Sequence, residues 1–78
     1  MKKETYTYYL NDMIRNLIES ANEIKLKPQL TEFEEGILAG YVNSISHLLN
    51  QTIAFNIKDD LDLDLQNFEP TSLLNKTE

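Results

Sequence analysis

The sequence lacks several residue types, and each absence narrows what the chain can be. It has no cysteine and one histidine, His47, among 78 residues. Disulfides and thiolate metal sites are therefore excluded, and imidazole ligands are scarce. A chain this short buries a modest core and usually gains stability from disulfides, a metal ion or an oligomeric partner. Oligomerisation is the one of these three that the composition leaves open.

Long apolar runs are also absent. The longest runs from Ile37 to Val42, whereas a membrane span needs about 20 apolar residues. Polar residues from Asn11 onward interrupt the region behind Lys2 and Lys3, which would otherwise resemble the start of a signal peptide. We therefore predict a cytoplasmic protein that does not associate with membranes.

Basic residues are few. A count of 7 Lys and Arg against 13 Asp and Glu gives a formal net charge of −6. The acidic excess lies in residues 31–78, whereas residues 1–30 are close to neutral. Such a chain has no basic surface for phosphate backbones, so we predict no direct binding of nucleic acid. A basic protein partner would be attracted to the C-terminal half.

Apolar residues at helical spacing predict a first helix over about residues 7–26. The alternation in residues 5–8 leaves an extended start open, and Pro28 should end the helix by Lys27. The predicted buried stripe is Tyr6, Tyr9, Leu10, Met13, Leu17, Ala21 and Ile24, with Ile14 and Ile18 beside it.

A second helix is predicted from about Glu32 to Phe55. Thr31 and Glu34 have the spacing of a capping box, in which each side chain bonds the amide of the other residue. The helix carries two adjacent apolar stripes, which together form an arc wider than one partner helix would cover. The stripes are Phe33, Ile37, Tyr41, Ile45, Leu48, Thr52 and Phe55, and Leu38, Val42, Leu49 and Ile53.

These patterns predict an all-α fold. We expect a helical hairpin of two long antiparallel helices, with residues 1–65 as one domain and residues 66–78 as a C-terminal tail. Because one hairpin leaves part of both apolar arcs uncovered, we expect two hairpins to form a four-helix bundle as a homodimer. The expected dimer interface is Ile14, Ile18, Leu38, Val42 and Leu49.

Residues 57–65 are expected to form an extended acidic segment. Leucines alternate with aspartates here, and strict alternation is typical of a strand with one apolar edge, although aspartate is poor in strands. In that geometry Leu61, Leu63 and Leu65 would share one side.

The carboxylates of this segment are the candidate partner-binding residues, and the alternative is that they form a solvated edge. They are Asp59, Asp60, Asp62 and Asp64. Their order resembles the start of a calcium loop, but Leu65 and Thr71 stand where that loop requires glycine and glutamate. The sequence therefore predicts no metal site here.

No pattern of catalysis is present. The sequence has neither a Gly-x-Ser-x-Gly elbow nor a glycine-rich phosphate loop. No carboxylate stands three or four residues from His47 to support a general base or a metal ligand. We therefore predict a protein that is not an enzyme and that binds no cofactor.

One stretch resembles a known kind of protein. Residues 34–41, with the sequence Glu-Glu-Gly-Ile-Leu-Ala-Gly-Tyr, and the pair Leu48 and Leu49 resemble the second helix of small helical proteins common in bacteria and their phages. The resemblance covers about 20 residues. It implies a helical fold and a bacterial or phage origin. Such proteins share no established activity, so it implies no function.

The leading functional hypothesis is a small non-enzymatic protein-interaction module, such as a regulator or inhibitor of a cellular protein. The alternative is an acidic decoy that mimics nucleic acid and occupies a basic protein. A decoy requires carboxylates at the spacing of phosphates, roughly 6–7 Å along a strand. A small enzyme or ligand carrier is a third class, and it requires an enclosed polar pocket.

Overall fold

A computed structural model describes residues 3–74 of the chain, and they contain helices but no strand. Two long helices, α1 (Lys3–Lys25) and α2 (Glu32–Ala54), pack against each other as a hairpin. A 3₁₀ turn (Lys58–Asp60), the single-turn helix α3 (Leu63–Gln66) and a second 3₁₀ helix (Pro70–Leu74) follow. The predictions of an all-helical fold and of a helical hairpin are confirmed.

Helix α1 begins earlier than the sequence pattern indicated. It is helical from Lys3, so the extended start considered for residues 5–8 does not occur. Tyr6 packs against the core together with Leu10, one turn further on, and this contact favours helix over strand at the start. The helix ends at Lys25, three residues before Pro28, as the restriction on the residue before proline predicts.

Helix α2 starts at the predicted capping box. The Glu34 amide donates to Thr31 Oγ1 at 3.1 Å, and the Thr31 amide donates to Glu34 Oε1 at 3.1 Å. The Lys27 ammonium also pairs with the Glu34 carboxylate. The bond from Lys27, followed by the one from the Thr31 amide, lowers the pKa of Glu34 below its ordinary value. The boundary is thus fixed by two backbone bonds and one ion pair.

Helix α2 ends in a Schellman motif. Asn56 adopts a left-handed conformation with φ 59°. The Ile57 amide donates to the Thr52 carbonyl at 2.8 Å, and the Asn56 amide donates to the Ile53 carbonyl at 3.0 Å. Asparagine is the commonest residue after glycine at this position. The motif stops the helix and turns the chain back onto the hairpin.

The core lies between α1, α2 and the residues that follow α2. Ile14 and Ile45 are fully buried at its centre. Leu17, which the sequence placed centrally on the buried stripe, is partly exposed, because the core line of α1 passes through its neighbour Ile14 instead. The buried apolar residues are Leu10, Ile14, Ala21, Leu38, Val42, Ile45, Leu49, Leu61, Leu65 and Leu73.

The residues after α2 are not extended, and that expectation is corrected. Leu61 and Leu65 are buried, whereas Leu63 is 73% exposed. A helical turn places residues four apart on the same side and turns the residue between them outward, so the three leucines do not share one side. Aspartate favours helix starts and turns over strands, which explains why the alternating sequence adopts helical turns.

Part of the predicted C-terminal tail also packs on the hairpin. Leu73 is buried and Phe68 packs partly against the core, whereas Leu74 is half exposed. Residues 75–78 of that tail lie outside the described residues.

Candidate interaction surfaces

The chain from Ile57 to Leu74, called the C-terminal segment below, covers one face of the hairpin. Its buried leucines Leu61, Leu65 and Leu73 belong to the same core as α1 and α2. On α2 the segment runs beside Ser46 and Asn50, which line a cleft together with the segment's own residues. We call this side of the hairpin the clasped face.

Asn11 links α1 to the backbone of the segment. Its side chain is buried, and its Oδ1 accepts a hydrogen bond from the Asp62 amide at 2.8 Å. Its Nδ2 donates to the Asp60 carbonyl at 3.0 Å and to the Thr7 carbonyl of its own helix at 2.8 Å. One buried amide therefore satisfies a donor and an acceptor of the incoming chain, which would otherwise cost free energy at this depth.

Arg15 lies one turn further along α1 and binds two carboxylates. Its Nη1 and Nη2 donate to the two oxygens of Asp64 at 2.8 Å each, and Nη2 also donates to Asp62 Oδ2 at 2.8 Å. The hydrogen bonds from Arg15 lower the pKa of Asp64, and those to Asp64 and then Asp62 raise the pKa of Arg15. Both partners are solvent-exposed, so the pairs contribute more to geometry than to stability.

Two lysines of α1 contact the segment near its beginning and near its end. Lys3 lies 4.0 Å from a carboxylate oxygen of Asp60. Lys25 Nζ donates to the Ser72 carbonyl at 3.0 Å. The segment therefore runs along α1 from its first turn to its last.

The predicted acidic cluster is divided by these contacts. Asp60, Asp62 and Asp64 are bound to basic side chains of α1, whereas Asp59 is exposed and has no ion pair within residues 3–74. Sequence reasoning did not single out Asn11 or Arg15. One signal could have found Arg15: the acidic excess of the second half needs cations, and the first half holds most of them.

The opposite face of the hairpin is apolar and lies outside the C-terminal segment; we call it the open face. Helical periodicity places its residues on the other side of the core line from Asn11 and Asn50. Tyr9 is 60% exposed and, with Met13 and Leu17, lines a shallow groove of about 350 Å³. The open face comprises Tyr6, Tyr9, Met13, Leu17 and Ile24 of α1 with Ile37, Tyr41, Leu48 and Phe55 at and along α2.

The residues that the sequence assigned to a dimer interface lie elsewhere. Ile14, Leu38, Val42 and Leu49 are buried in the core of the single chain, and Ile18 packs partly against it. The side chains of α1, α2 and the C-terminal segment cover one another there. A second chain could contact these residues only if the hairpin or the segment opened.

A cleft of about 440 Å³ lies between α2 and the C-terminal segment. Its lining is mostly polar, and it opens to solvent rather than being enclosed. His47 is exposed and does not line it. The lining residues are Ser46, Leu49, Asn50, Ile53, Lys58, Gln66, Asn67, Phe68, Glu69 and Pro70.

Two further searches of residues 3–74 gave no candidate site. They contain no group of three or more histidine or carboxylate side chains placed to hold a metal ion. Across the same residues, neither long helix is apolar enough to cross a bilayer.

Comparisons with models of protein families, with curated proteins and with solved structures find no match to this chain. The resemblance of residues 34–41 to bacterial and phage helical proteins therefore receives no support from them. Function has to be argued from the two faces of the hairpin.

Proposed function

We propose that this chain is a small non-enzymatic interaction module that pairs with a second copy of itself through the open face. Two hairpins joined in this way form a four-helix bundle, with the two C-terminal segments on its outer sides. The observation that supports this proposal is the position of the open face. Its large apolar side chains lie in a row on the one side of the hairpin that the C-terminal segment leaves uncovered.

The size of the open face fits a dimer. The molecule extends 43 Å along the hairpin and 20 Å across it. One such face measures roughly 800 Å², close to what each partner contributes to a stable interface of standard size. A contiguous apolar patch of this size is more than a monomer usually exposes.

The charge distribution favours the same face. A chain with a net charge of −6 repels its own copies over most of its surface. Residues 36–57, which include most of α2, carry no Asp, Glu, Lys or Arg. The acidic side chains of α1 nearest to the open face, Asp12, Glu19 and Glu23, lie along its outer edge. Two open faces can therefore meet with little like-charge contact.

A partner protein is the second part of the proposal. With the open faces paired, the outer surface of the dimer is acidic, and we propose that it acts as a regulator or inhibitor in the cytoplasm by binding a basic protein. The decoy alternative is less well supported. Asp60, Asp62 and Asp64 are held by Lys3 and Arg15, so they are not free to replace a row of phosphates.

Two neighbouring tyrosines provide the test. Tyr9 lies on the open face, whereas Tyr8, which is 78% exposed, points about 100° away around the helix toward the side of Arg15. We expect sedimentation equilibrium at micromolar concentration to give twice the chain mass for the wild type. Tyr9→Glu should weaken the dimer at least tenfold, because it places a charge in an apolar interface.

Tyr8→Glu is the matched control and should leave the dimer unchanged. A wild type that stays monomeric from micromolar to millimolar concentration would contradict the proposal. An equal loss of association in both variants would show that the interface lies elsewhere.

A further inference from the structure

The clasp on α1 is built like a peptide-recognition site, and we infer that it accepts the C-terminal segment of a second copy of this chain, so that two copies exchange residues 57–74. The inference goes beyond the pairing of open faces, because it uses the opposite side of the hairpin. Its two halves are the receptor side chains on α1 and the chemistry of the segment that fills them.

The receptor reads the backbone of its ligand as well as its side chains. Asn11 accepts from the amide of Asp62 and donates to the carbonyl of Asp60, at 2.8 and 3.0 Å. Those two groups belong to residues two apart in the ligand, and a buried side-chain amide can satisfy both only when the ligand backbone lies in one register. The contact therefore fixes the position of the chain independently of its side chains.

The side chains of the ligand then supply charge and apolar area. Arg15 takes Asp64 with both of its terminal nitrogens and Asp62 with one, which a planar guanidinium does better than an ammonium. Leu61 and Leu65 enter the core beside these carboxylates. The recognised chemistry is an acidic turn with leucines four residues apart.

The polar contacts of this register all come from α1, 47 to 51 residues away in the sequence. None of them depends on the ligand being joined to the same chain's α2. The connection itself is a single left-handed residue, Asn56, followed by a 3₁₀ turn. Rotation at this one residue would redirect the segment to a neighbouring molecule.

A second copy is the favoured occupant over a foreign acidic peptide. A foreign peptide has to displace a segment that is tethered at a millimolar effective concentration. Exchange between two copies replaces each contact by an identical one, so that only the association entropy and the change at the hinge oppose it. Exchange of an identical element is the usual low-cost route to such dimers.

Two full-length chains with complementary changes test the inference. The first carries Asp62→Arg and Asp64→Arg, and the second carries Arg15→Asp; both also carry Tyr9→Glu, so that pairing of open faces does not contribute. In each chain alone the receptor and the segment repel each other. In a mixed dimer with exchanged segments, each receptor meets a segment of opposite charge.

We expect each chain alone to be monomeric with a lowered melting temperature. After equimolar mixing and annealing, anion exchange should isolate a one-to-one species, since the chains differ widely in charge. That species should melt roughly 4 °C or more above either chain alone, which is the shift for about 1 kcal/mol in a domain of this size. A mixture that sediments as monomers and melts as the sum of its components would overturn the inference.

A chain that combines Arg15→Asp, Asp62→Arg and Asp64→Arg is the control. Its receptor and segment match again within the chain, so mixing it with the Tyr9→Glu chain should give no stabilised hybrid. If the charge reversals prevent folding, the pair Asp62→Asn with Asp64→Asn and Arg15→Gln repeats the test with one matched site per mixed dimer. Failure of that pair to form a hybrid also overturns the inference.

Discussion

The clasped face and the open face belong to the same two helices but are satisfied in opposite ways. On the clasped face, leucines of the C-terminal segment enter the core, and side chains of α1 bond the segment's backbone and carboxylates. On the open face, half-exposed tyrosine, methionine and leucine side chains lie in a row without charged groups among them. One face is specified by polar contacts, and the other offers apolar area.

The difference indicates how each face would behave in association. A buried polar contact such as that of Asn11 is satisfied in only one register, so it selects a particular segment and disfavours others. An apolar face is less selective, and its contribution grows with the area it buries. The hairpin therefore uses polar contacts to choose its own segment and keeps apolar area for assembly.

The largest expected effect compares the core with the open face. Ile45→Ala removes side-chain volume from a fully buried site and should lower the free energy of unfolding by about 2–5 kcal/mol. Leu17→Ala, on the open face, should cost less than half as much at concentrations where the chain is monomeric, because Leu17 is already partly hydrated. Urea denaturation of both variants measures the ratio. Equal losses would show that the open face is covered within the single chain.

The next effect compares two asparagines of α1. Asn11→Ala leaves the Asp62 amide and the Asp60 carbonyl without a partner and should cost about 1–3 kcal/mol. Asn16 is exposed and bonds only Asp12, at 3.2 Å, so Asn16→Ala should change stability by less than about 0.5 kcal/mol. Thermal and urea denaturation should rank the two variants in this order. A small effect at Asn11 would mean that the segment is held by its leucines alone.

The smallest effect concerns acid and the clasp. The pKa of Asp64 is lowered by Arg15 in the folded state, so the folded protein binds fewer protons than the unfolded chain as the pH falls. The stability from this contact is present above the unfolded pKa of about 4 and is lost as the pH falls through the folded value. Glu34, paired with Lys27, contributes in the same direction.

Urea midpoints measured between pH 6 and pH 2.5 should therefore fall with acid in the wild type and fall less in Asp64→Asn. High salt should reduce the difference, because the pair is exposed. A steeper fall in Asp64→Asn than in the wild type would reverse the sign and exclude the ion pair as its cause.

Sequence patterns predicted the hairpin well because its determinants are local. Thr31 and Glu34 fix the start of α2 by bonds that span three residues, and Pro28 limits α1 through its immediate neighbours. The predicted end at Phe55 differs by one residue from the observed end at Ala54. The left-handed Asn56 was not anticipated, since asparagine is tolerated in that conformation without being diagnostic of it.

The clasp could not be predicted in the same way, because its partners are about fifty residues apart. Nothing near Asn11 in the sequence shows that its side chain will meet the backbone of Asp60 and Asp62. The alternation of leucine and aspartate favoured a strand, and only the fit of Leu61 and Leu65 into the groove of the hairpin makes a helical turn the better solution. Which apolar stripe of α1 is central was equally a matter of tertiary packing.

The route of the C-terminal segment has a consequence for measuring its movement. The chain passes along the hairpin three times, through α1, back through α2, and again through the segment, whose Ser72 reaches Lys25. An odd number of passes places Lys3 and Ser72 at opposite poles, about 33 Å apart along the 23 residues of α1. Fluorescent labels at Lys25 and Ser72 would therefore be close only while the segment is docked on its own hairpin. Labels at Lys3 and Ser72 would report the length of the molecule, which separates release of the segment from unfolding of the helices.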